Sequence, residues 1–191
     1  MDRMMGRYLV IEGPDGSGKT ETCRKLEKLG FKYVREPGAT DFGEAMRSAT
    51  LTKSCLPSSA MLAMFAARNE LLNSTVLPAL ESGQSVASDR GVLSSYAYNV
   101  EDRKDLSLFS CLCEQILPDN AEYIVLDISY DTYCARREPT DEDGQFELKN
   151  CSDRAKFDAL RARYRSAALM FGAKIIETDC LTVDQVLEKI L

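Results

Sequence analysis

Residues 13–20 read Gly-Pro-Asp-Gly-Ser-Gly-Lys-Thr and fit the phosphate-binding loop pattern G-x-x-x-x-G-K-T. The loop follows the apolar residues 8–11 (Tyr-Leu-Val-Ile), which predict a buried strand leading into a tight turn and then a helix. In such a loop, glycines let backbone N–H groups turn toward phosphate oxygens, and the N-terminus of the following helix adds positive charge. We expect Lys19 to reach the β- and γ-phosphates of a nucleoside triphosphate and the Thr20 hydroxyl to ligate Mg²⁺.

The composition is that of a globular enzyme rather than of a nucleic-acid-coating or membrane-surface protein. The 191 residues are 45% hydrophobic and 28% charged with a net charge of −6, so a single domain over residues 1–191 is expected. Because no apolar run approaches membrane-spanning length and the N-terminus lacks the apolar core of a signal peptide, we expect a cytoplasmic location.

Histidine is absent, which excludes Ser-His-Asp, Cys-His and His-Glu-x-x-His chemistry. The seven cysteines include no C-x-x-C pair, so free thiols are expected; Cys111 and Cys113 are expected on a helix. Catalysis therefore has to rest on carboxylates, cations, hydroxyls and metal.

Short apolar runs alternate with longer helical segments along the chain. We predict strands over residues 8–12, 31–34, 85–88, 124–127 and 174–177, and helices over residues 20–29, 58–82 and 155–171. A serine is the expected cap at the start of the second helix, and Thr182 with Gln185 fits a capping box for a C-terminal helix. This alternation predicts a three-layer α/β fold of the P-loop NTPase type, with a mainly parallel five-stranded sheet and helices on both faces. Ligands of such a fold bind beyond the carboxyl ends of the strands.

Polar clusters follow the second and third predicted strands at the edge where ligands are expected. Residues 35–38 (Arg-Glu-Pro-Gly) leave Arg35 at a strand end, and Arg47 follows about three helical turns later. Asp89 and Arg90 follow the third strand, where an aspartate can hold a Mg²⁺-bound water and an arginine can clamp a phosphate. An ordinary loop arginine and a structural Asp–Arg pair are the alternatives.

Five motifs, taken in order, resemble those of the thymidylate kinase family of P-loop nucleoside monophosphate kinases. They lie at residues 12–20 (E-G-x-[DE]-G-x-G-K-T), 35–40 (R-E-P-G-[GA]-T), 64–68 (F-x-x-x-R), 89–98 (D-R-x-x-x-S-x-x-A-Y) and 157–164 (F-x-x-x-R-x-x-Y). The resemblance extends from about residue 7 to the C-terminus, and the combination is specific, whereas the phosphate loop alone indicates only nucleotide binding.

The resemblance implies ATP as the phosphoryl donor and Mg²⁺ held by Thr20 and Asp89. The implied ATP contacts are Gly13, Asp15, Gly16, Ser17, Gly18, Lys19, Thr20 and Arg136. It also implies that Arg47 and Arg90 bind the acceptor phosphate, with Arg90 and Lys19 in the catalytic set. The other implied acceptor contacts are Asp15 (3′-hydroxyl), Arg35, Pro37 (base pocket), Met64, Phe65, Arg68 (a pyrimidine carbonyl), Ser95 (base edge) and Tyr98 (packing on C2′).

A short lid over about residues 136–154 is expected to supply the remaining catalytic cation. The family usually carries an arginine in either the phosphate loop or the lid, and the loop here has Gly16 at that place. The candidates are Arg136, Arg137 and Arg154, and we rank Arg137 and Arg154 first.

Two departures from the family pattern bear on the base pocket. Met64 falls where the family has a stacking aromatic, with Phe65 next to it, and Gly91 replaces a bulkier residue. Because methionine covers a base face with less geometric specificity, and Gly91 leaves room, we expect tolerance of dUMP or of pyrimidines with larger C5 substituents. The alternative is that Phe65 or a neighbouring residue repacks and that base selectivity is ordinary.

The resemblance implies ATP-dependent phosphorylation of dTMP to dTDP by a homodimer that binds neither nucleic acid nor membrane. The two candidate phosphate clamps, Arg47 and Arg90, favour a monophosphate acceptor over the nucleoside of a deoxynucleoside kinase. A kinase for another or modified pyrimidine deoxynucleotide remains open. So does a nucleotide-binding module without turnover, although the Asn-Lys-x-Asp guanine motif of a GTPase switch is absent.

Overall fold

A computed structural model of the chain describes residues 6–51, 55–136 and 151–191. Its five strands are all parallel to their neighbours and lie in the order β2-β3-β1-β4-β5. The strands are β1 (Tyr8–Glu12), β2 (Lys32–Arg35), β3 (Val86–Asp89), β4 (Ala121–Asp127) and β5 (Lys174–Glu177). The predicted α/β fold with a mainly parallel five-stranded sheet is therefore confirmed.

Helices cover both faces of the sheet, because side chains along each strand alternate between the faces. In β1, Leu9 and Ile11 join the apolar side chains of α1 (Lys19–Lys28) and α9 (Val183–Ile190), whereas Tyr8 and Val10 join the opposite cluster. The remaining helices are α2 (Asp41–Leu51), α3 (Pro57–Leu71), α4 (Leu77–Glu81), α5 (Val92–Asn99), α6 (Arg103–Ile116), α7 (Tyr130–Arg136) and α8 (Arg154–Phe171). The result is the three-layer arrangement that the alternation predicts.

The helix predicted over residues 58–82 is interrupted by a wider turn. A π-helical segment, Leu72–Val76, joins α3 to α4, and Pro78 lies two residues beyond it. Pro78 has no N–H to donate to the carbonyl four residues earlier, and a π turn accommodates such a missing bond. The predicted serine cap is wrong, because Leu56 is the N-cap residue and Pro57 occupies the first helical position, where its missing N–H costs nothing.

Other boundaries agree with the sequence closely. The capping box of Thr182 and Gln185 is confirmed at the start of α9, and β5 begins and ends as predicted. Cys111 and Cys113 lie on α6, and the seven cysteines form no disulfide with one another. In the described part of the chain, no helix combines the length and the apolar character needed to cross a bilayer.

Candidate active site

The phosphate loop joins β1 to α1, and two of its glycines are required by the backbone. At Gly13 (φ 134°) a Cβ atom would lie 2.2 Å from the carbonyl oxygen of Leu126, so no side chain fits where the loop crosses β4. Gly18 enters α1 with φ 91°, in the left-handed region that favours glycine. The glycine spacing of the motif is thus explained by close approach and by backbone conformation.

Lys19 lies inside the loop and is 5% exposed. Its Nζ donates to the carbonyl of Pro14 at 2.8 Å and lies 3.4 Å from Oδ1 of Asp15. Burial lowers the pKa of Lys19, and the charge of Arg90 lowers it further, while Asp15 and Asp89 oppose the shift. The structure therefore holds this cation at the loop, where triphosphate oxygens would replace its backbone partner.

Thr20 and Asp89 meet because β1 and β3 are neighbours in the sheet. The Thr20 hydroxyl donates to Oδ2 of Asp89 at 2.6 Å, and Asp89 pairs in register with Ile11 of β1. Hydroxyl and carboxylate oxygens suit Mg²⁺, which usually takes one or two protein ligands together with phosphates and waters. The described residues contain no group of three or more acidic, cysteine or histidine side chains that could hold a metal. This pair therefore fits an ion that is bound jointly with a nucleotide.

Arg90 has a left-handed backbone (φ 72°), which is uncommon for a residue other than glycine. Its N–H donates to the carbonyl of Ile11 at 2.9 Å, which fixes the residue at the end of β3. Its Nη2 forms an ion pair with Asp15, and its Nη1 donates to the Tyr164 hydroxyl at 2.9 Å. A strained backbone that surrounding contacts maintain is typical of a functional position.

Tyr98 completes the group around Arg90. Its ring centre lies 5.8 Å from the Arg90 guanidinium carbon and 6.1 Å, edge-on, from the ring of Tyr164. Burial raises the pKa of Tyr98 well above its ordinary value, and Tyr164 and Asp15 raise it further, so the phenol is neutral. The structure thus brings together Asp15, Arg90 and Tyr98, three residues that the sequence predicts to bind the acceptor.

Arg68, Glu36 and Ser95 form a second, deeper group. Arg68 Nε donates to Oε2 of Glu36 at 2.6 Å and its Nη2 donates to the Ser95 hydroxyl at 3.1 Å; Arg68 and Glu36 are 3% and 5% exposed. Burial raises the pKa of Glu36, and the charge of Arg68 opposes that shift. Among the described residues, Arg68 Nη1 has no hydrogen-bond partner. The ion pair fixes the guanidinium and leaves one donor nitrogen unused.

Phe65 does not present an open ring face at this site, contrary to the sequence-based assignment. Its side chain is 1% exposed and packs edge-on against Phe109 at 5.9 Å between ring centres, with the Arg68 guanidinium 4.7 Å from the ring centre. The preceding residue, Met64, is half-buried. Successive helical residues point about 100° apart, so burying Phe65 leaves Met64 as the candidate base contact.

Gly91 does not enlarge the pocket as its small size led us to expect. A Cβ atom there would lie 2.5 Å from Cγ1 of Val10 and 3.3 Å from Oε1 of Glu12, so a side chain would run into β1. Gly91 lines a cavity of about 10 Å³, next to Arg68 and Glu36, which is the size of one water molecule. The backbone of the residue before α5 lies against the sheet, and glycine is required for that approach.

The cluster after β2 lies on the rim of the site. Arg35 donates to Glu44 of α2 at 2.7 Å and is exposed. Arg47 Nη1 lies 3.5 Å from the carbonyl oxygen of Pro37, and the Glu36–Pro37 peptide bond is cis. The structure thus places Arg47 against the predicted base-pocket loop and pairs Arg35 with a helix carboxylate.

Of the lid arginines, Arg136 contacts the phosphate loop. Its Nη1 donates to the carbonyl of Gly16 at 3.3 Å and its Nη2 donates to the carbonyl of Thr178 at 2.8 Å. Arg154 instead pairs with Asp131 at 2.5 Å and lies over the ring of Tyr130. Arg137 lies outside the described residues. The geometry reverses our ranking of Arg154 over Arg136.

Alanine at Arg136 is expected to raise KM for ATP and to lower kcat/KM by about 10²-fold, within the range for removing one charged donor from a phosphate site. Arg154→Ala is the matched control, since that side chain is exposed and bound to Asp131, and a change of less than threefold is expected. Initial rates at varied ATP concentrations give KM and kcat/KM for both variants. A larger loss in the Arg154 variant would restore the sequence-based ranking.

Several residues with no assigned role from sequence support the site. Asp127, at the end of β4 and 1% exposed, accepts hydrogen bonds from Arg161 and Arg165 of α8. Burial works against ionisation of Asp179, but hydrogen bonds from Ser129 and Thr132 hold its pKa down to about 2. Through these hydrogen bonds, Asp127 holds α8 and Asp179 holds α7 at the carboxyl edge of the sheet. An acidic residue ending an apolar strand is the signal that marks Asp127.

The thymidylate kinase family model matches residues 11–190 of this chain. The thymidylate kinase of Caldicellulosiruptor saccharolyticus is 33% identical over 98% of this chain and 95% of its own length. That of Nitrosomonas europaea is 32% identical over 91% of this chain and 85% of its own. The thymidylate kinase of Buchnera aphidicola is 38% identical over a shorter match, which covers 53% of this chain and 53% of its own length.

Two solved structures share the fold. A thymidylate kinase from Candida albicans superposes with a TM-score of 0.73 at 20% identity, covering 97% of this chain and 89% of that one. The one from Ehrlichia chaffeensis also gives 0.73, at 22% identity, with 97% and 98% coverage. Fold and phosphate loop define a nucleotide-binding protein of the P-loop class. Within that class, the chain belongs to the thymidylate kinase family.

Proposed function

We propose that this protein transfers the γ-phosphoryl group of ATP to dTMP and forms dTDP. The observation that carries the proposal is Arg90, whose strained backbone and paired guanidinium stand at the carboxyl edge of the sheet next to the phosphate loop. An acceptor phosphate oxygen is already anionic, so transfer depends on positioning and charge neutralisation rather than on a general base. A chain without histidine is suited to that chemistry.

The donor side of the proposed mechanism is the phosphate loop. Its backbone N–H groups and Lys19 hold the ATP phosphates, and Arg136 adds a cation beside Gly16. Thr20 and Asp89 would hold Mg²⁺, which supplies charge neutralisation between the phosphates when bound. Bringing these charges together before reaction avoids reorganising solvent during it.

The acceptor side lies around Arg90. We assign the acceptor phosphate to Arg90 and Arg47, and the deoxyribose to Asp15 and Tyr98, whose ring would clash with a ribose 2′-hydroxyl. Arg68, oriented by Glu36, faces the base together with Pro37, Met64 and Ser95. Each assignment follows the resemblance; the ion pairs and hydrogen bonds reported above support those of Asp15, Arg90 and Arg68.

A screen of all common NMPs and dNMPs with ATP·Mg²⁺ tests the function. We expect dTMP to give the highest kcat/KM and, because Gly91 adds no room, a preference over dUMP of roughly 10- to 200-fold, the usual worth of one methyl group in an apolar pocket. Phosphorylation of thymidine but not of dTMP would indicate a nucleoside kinase. Binding of ATP without turnover on any acceptor would indicate a non-catalytic module.

Arg90→Ala is expected to lower kcat/KM for dTMP by about 10²- to 10³-fold with KM for ATP unchanged, because one charged clamp on the acceptor phosphate is lost. Arg103→Ala, which removes an exposed arginine of α6, is the control and should retain wild-type rates. Steady-state kinetics with each substrate varied in turn separates the two sites. A loss confined to ATP binding would contradict the assignment of Arg90.

We also propose a homodimer formed through α3 and α6. These helices pack against each other, and their outer faces carry the exposed side chains of Leu62 and Leu106. Exposed apolar groups on adjoining helices favour an interface of this kind. Sedimentation equilibrium of the wild type and of Leu62→Glu tests it.

Cytoplasmic location stays a sequence-based prediction.

A further inference from the structure

A chain of hydrogen bonds links the sheet to Arg90 through three other side chains. The Ser94 hydroxyl donates to Oε2 of Glu12 at 2.6 Å. The oxygens of Ser94 and Tyr164 lie 2.9 Å apart, and Nη1 of Arg90 donates to the Tyr164 hydroxyl at 2.9 Å. The four residues come from β1, the end of β3, α5 and α8, so contacts between distant parts of the chain create the arrangement.

Glu12 is a fixed anchor for this chain. It is fully buried, and its Oε1 accepts the N–H groups of Leu93 and Ser94 at 2.8 and 3.2 Å in the first turn of α5. Burial raises the pKa of Glu12, while the Ser94 hydrogen bonds and Arg90 favour its ionised form. A carboxylate so placed only accepts, which commits the single Ser94 proton to it.

The direction of the remaining bonds follows from the proton count. With its own proton donated to Glu12, Ser94 accepts from Tyr164, and Tyr164 in turn accepts from Arg90. All donors thus point one way, which strengthens each bond in the series. The guanidinium is held at two nitrogens. Asp15 pairs with Nη2. Nη1 donates to the Tyr164 hydroxyl at 2.9 Å and, at longer range, to the Ser94 hydroxyl at 3.3 Å and the Gly13 carbonyl at 3.4 Å.

We propose that Tyr164 is a positioning residue that orients Arg90 toward the acceptor phosphate. When a phosphate competes with Asp15 for Nη2, the bond from Nη1 to Tyr164, which is shorter than the contacts of Nη1 with Ser94 and Gly13, keeps the guanidinium from turning away. The inference rests on the proposed function, in which Arg90 holds the acceptor, and extends it to a residue that makes no contact with substrate.

Tyr164→Phe removes the hydroxyl and keeps the ring, which is 1% exposed and edge-on to Tyr98. We expect kcat/KM for dTMP to fall about 10- to 100-fold, the worth of one hydrogen bond to a charged group, through a higher KM for dTMP and an unchanged KM for ATP. Ser94→Ala removes the acceptor of the Tyr164 hydroxyl together with a direct 3.3 Å contact to Arg90 Nη1, so it should also raise KM for dTMP and leave KM for ATP unchanged, with a loss at least as large. Tyr96→Phe, a half-buried tyrosine of α5 whose ring packs on Phe109, is the control and should match wild type.

A double-variant cycle separates positioning from structural support. If Tyr164 acts through Arg90, adding Tyr164→Phe to Arg90→Ala lowers kcat/KM less than twofold further. A full 10-fold further loss in that background, or a wild-type KM for dTMP in Tyr164→Phe, would overturn the proposal.

Calorimetric binding of dTMP without ATP gives an independent measure. The Tyr164→Phe variant should bind dTMP about 10-fold more weakly, and Tyr96→Phe should bind it as wild type does. Absence of wild-type turnover would refute the proposed function, and the binding comparison would still decide the role of Tyr164. Equal affinity in both variants would reject that role while the kinase assignment stands.

Discussion

Lys19→Ala is expected to reduce kcat by about 10³-fold with ATP·Mg²⁺ and dTMP saturating. The ammonium is the one cation buried inside the phosphate loop in the described structure, and its charge is aimed where the triphosphate oxygens would lie. The shape of the loop comes from Gly13 and Gly18, so the variant should keep the loop conformation. Coupled-assay rates measure the effect, and Lys28→Ala, an exposed lysine of the same helix, is the control.

Stability should change little in this variant, because two effects oppose each other. Alanine removes the shorter of two hydrogen bonds to the Pro14 carbonyl and leaves the one from the Ser17 N–H at 3.3 Å, but it also removes a buried charge whose pKa burial already lowers. Lys19→Met, which preserves most of the side-chain volume, distinguishes lost chemistry from lost packing and should be equally inactive. Turnover within 10-fold of wild type in either variant would show that the loop does not use this lysine.

The fold could be predicted from short-range patterns because its main signals are local. The continuous apolar run of β1, which is buried throughout, and the capping box at Thr182 are visible within a few residues. The break in the long helix differs from the prediction because the π segment, Leu72–Val76, and Pro78 change the backbone hydrogen bonding, whereas the apolar periodicity continues on both sides. β4 begins at Ala121, three residues before the predicted start, because Ala121 and Tyr123 are only half-buried and Glu122 is exposed, so no apolar run marks the beginning of the strand.

The sequence predicts which edge of the sheet carries the site, because neighbouring parallel strands end at the same edge. It does not predict how the side chains at that edge are directed. The alignment of strand ends places Lys19, Asp89 and Arg90 at one edge without any knowledge of side-chain direction. The direction of Phe65 into the core, and the crowding of Gly91 by Val10, depend on packing between elements. The pairing of Arg136 with Gly16 likewise depends on the position of α7 over the loop, and one sequence does not reveal it.

Arg68→Ala is expected to destabilise the protein by about 3–5 kcal/mol, because it leaves the Glu36 carboxylate buried without its partner. For a chain of this size, that corresponds to a fall in Tm of roughly 6–20 °C. Urea denaturation measures the free energy of unfolding. The control is Arg103→Ala, an exposed arginine whose loss should cost less than about 0.5 kcal/mol.

The loss of folding stability caused by Arg68→Ala, called the deficit below, should be larger at neutral pH than at acidic pH. Burial already raises the pKa of Glu36 in the folded protein, and removal of Arg68 raises it further. A carboxyl whose folded pKa exceeds the unfolded value destabilises the fold when ionised, so the deficit is largest at neutral pH and shrinks as the pH falls toward about 4.3. A deficit that stays constant from pH 8 to pH 5 would mean that lost packing, rather than the unpaired Glu36, causes it.

Replacing both partners separates stability from base recognition. Glu36→Leu combined with Arg68→Met exchanges the ion pair for apolar side chains and should recover most of the lost stability, because no uncompensated charge remains. The double variant should still lose about 10²-fold in kcat/KM for dTMP, since no donor is left to face the base. Recovery of activity together with stability would mean that the Arg68 guanidinium supports the fold and does not read the pyrimidine.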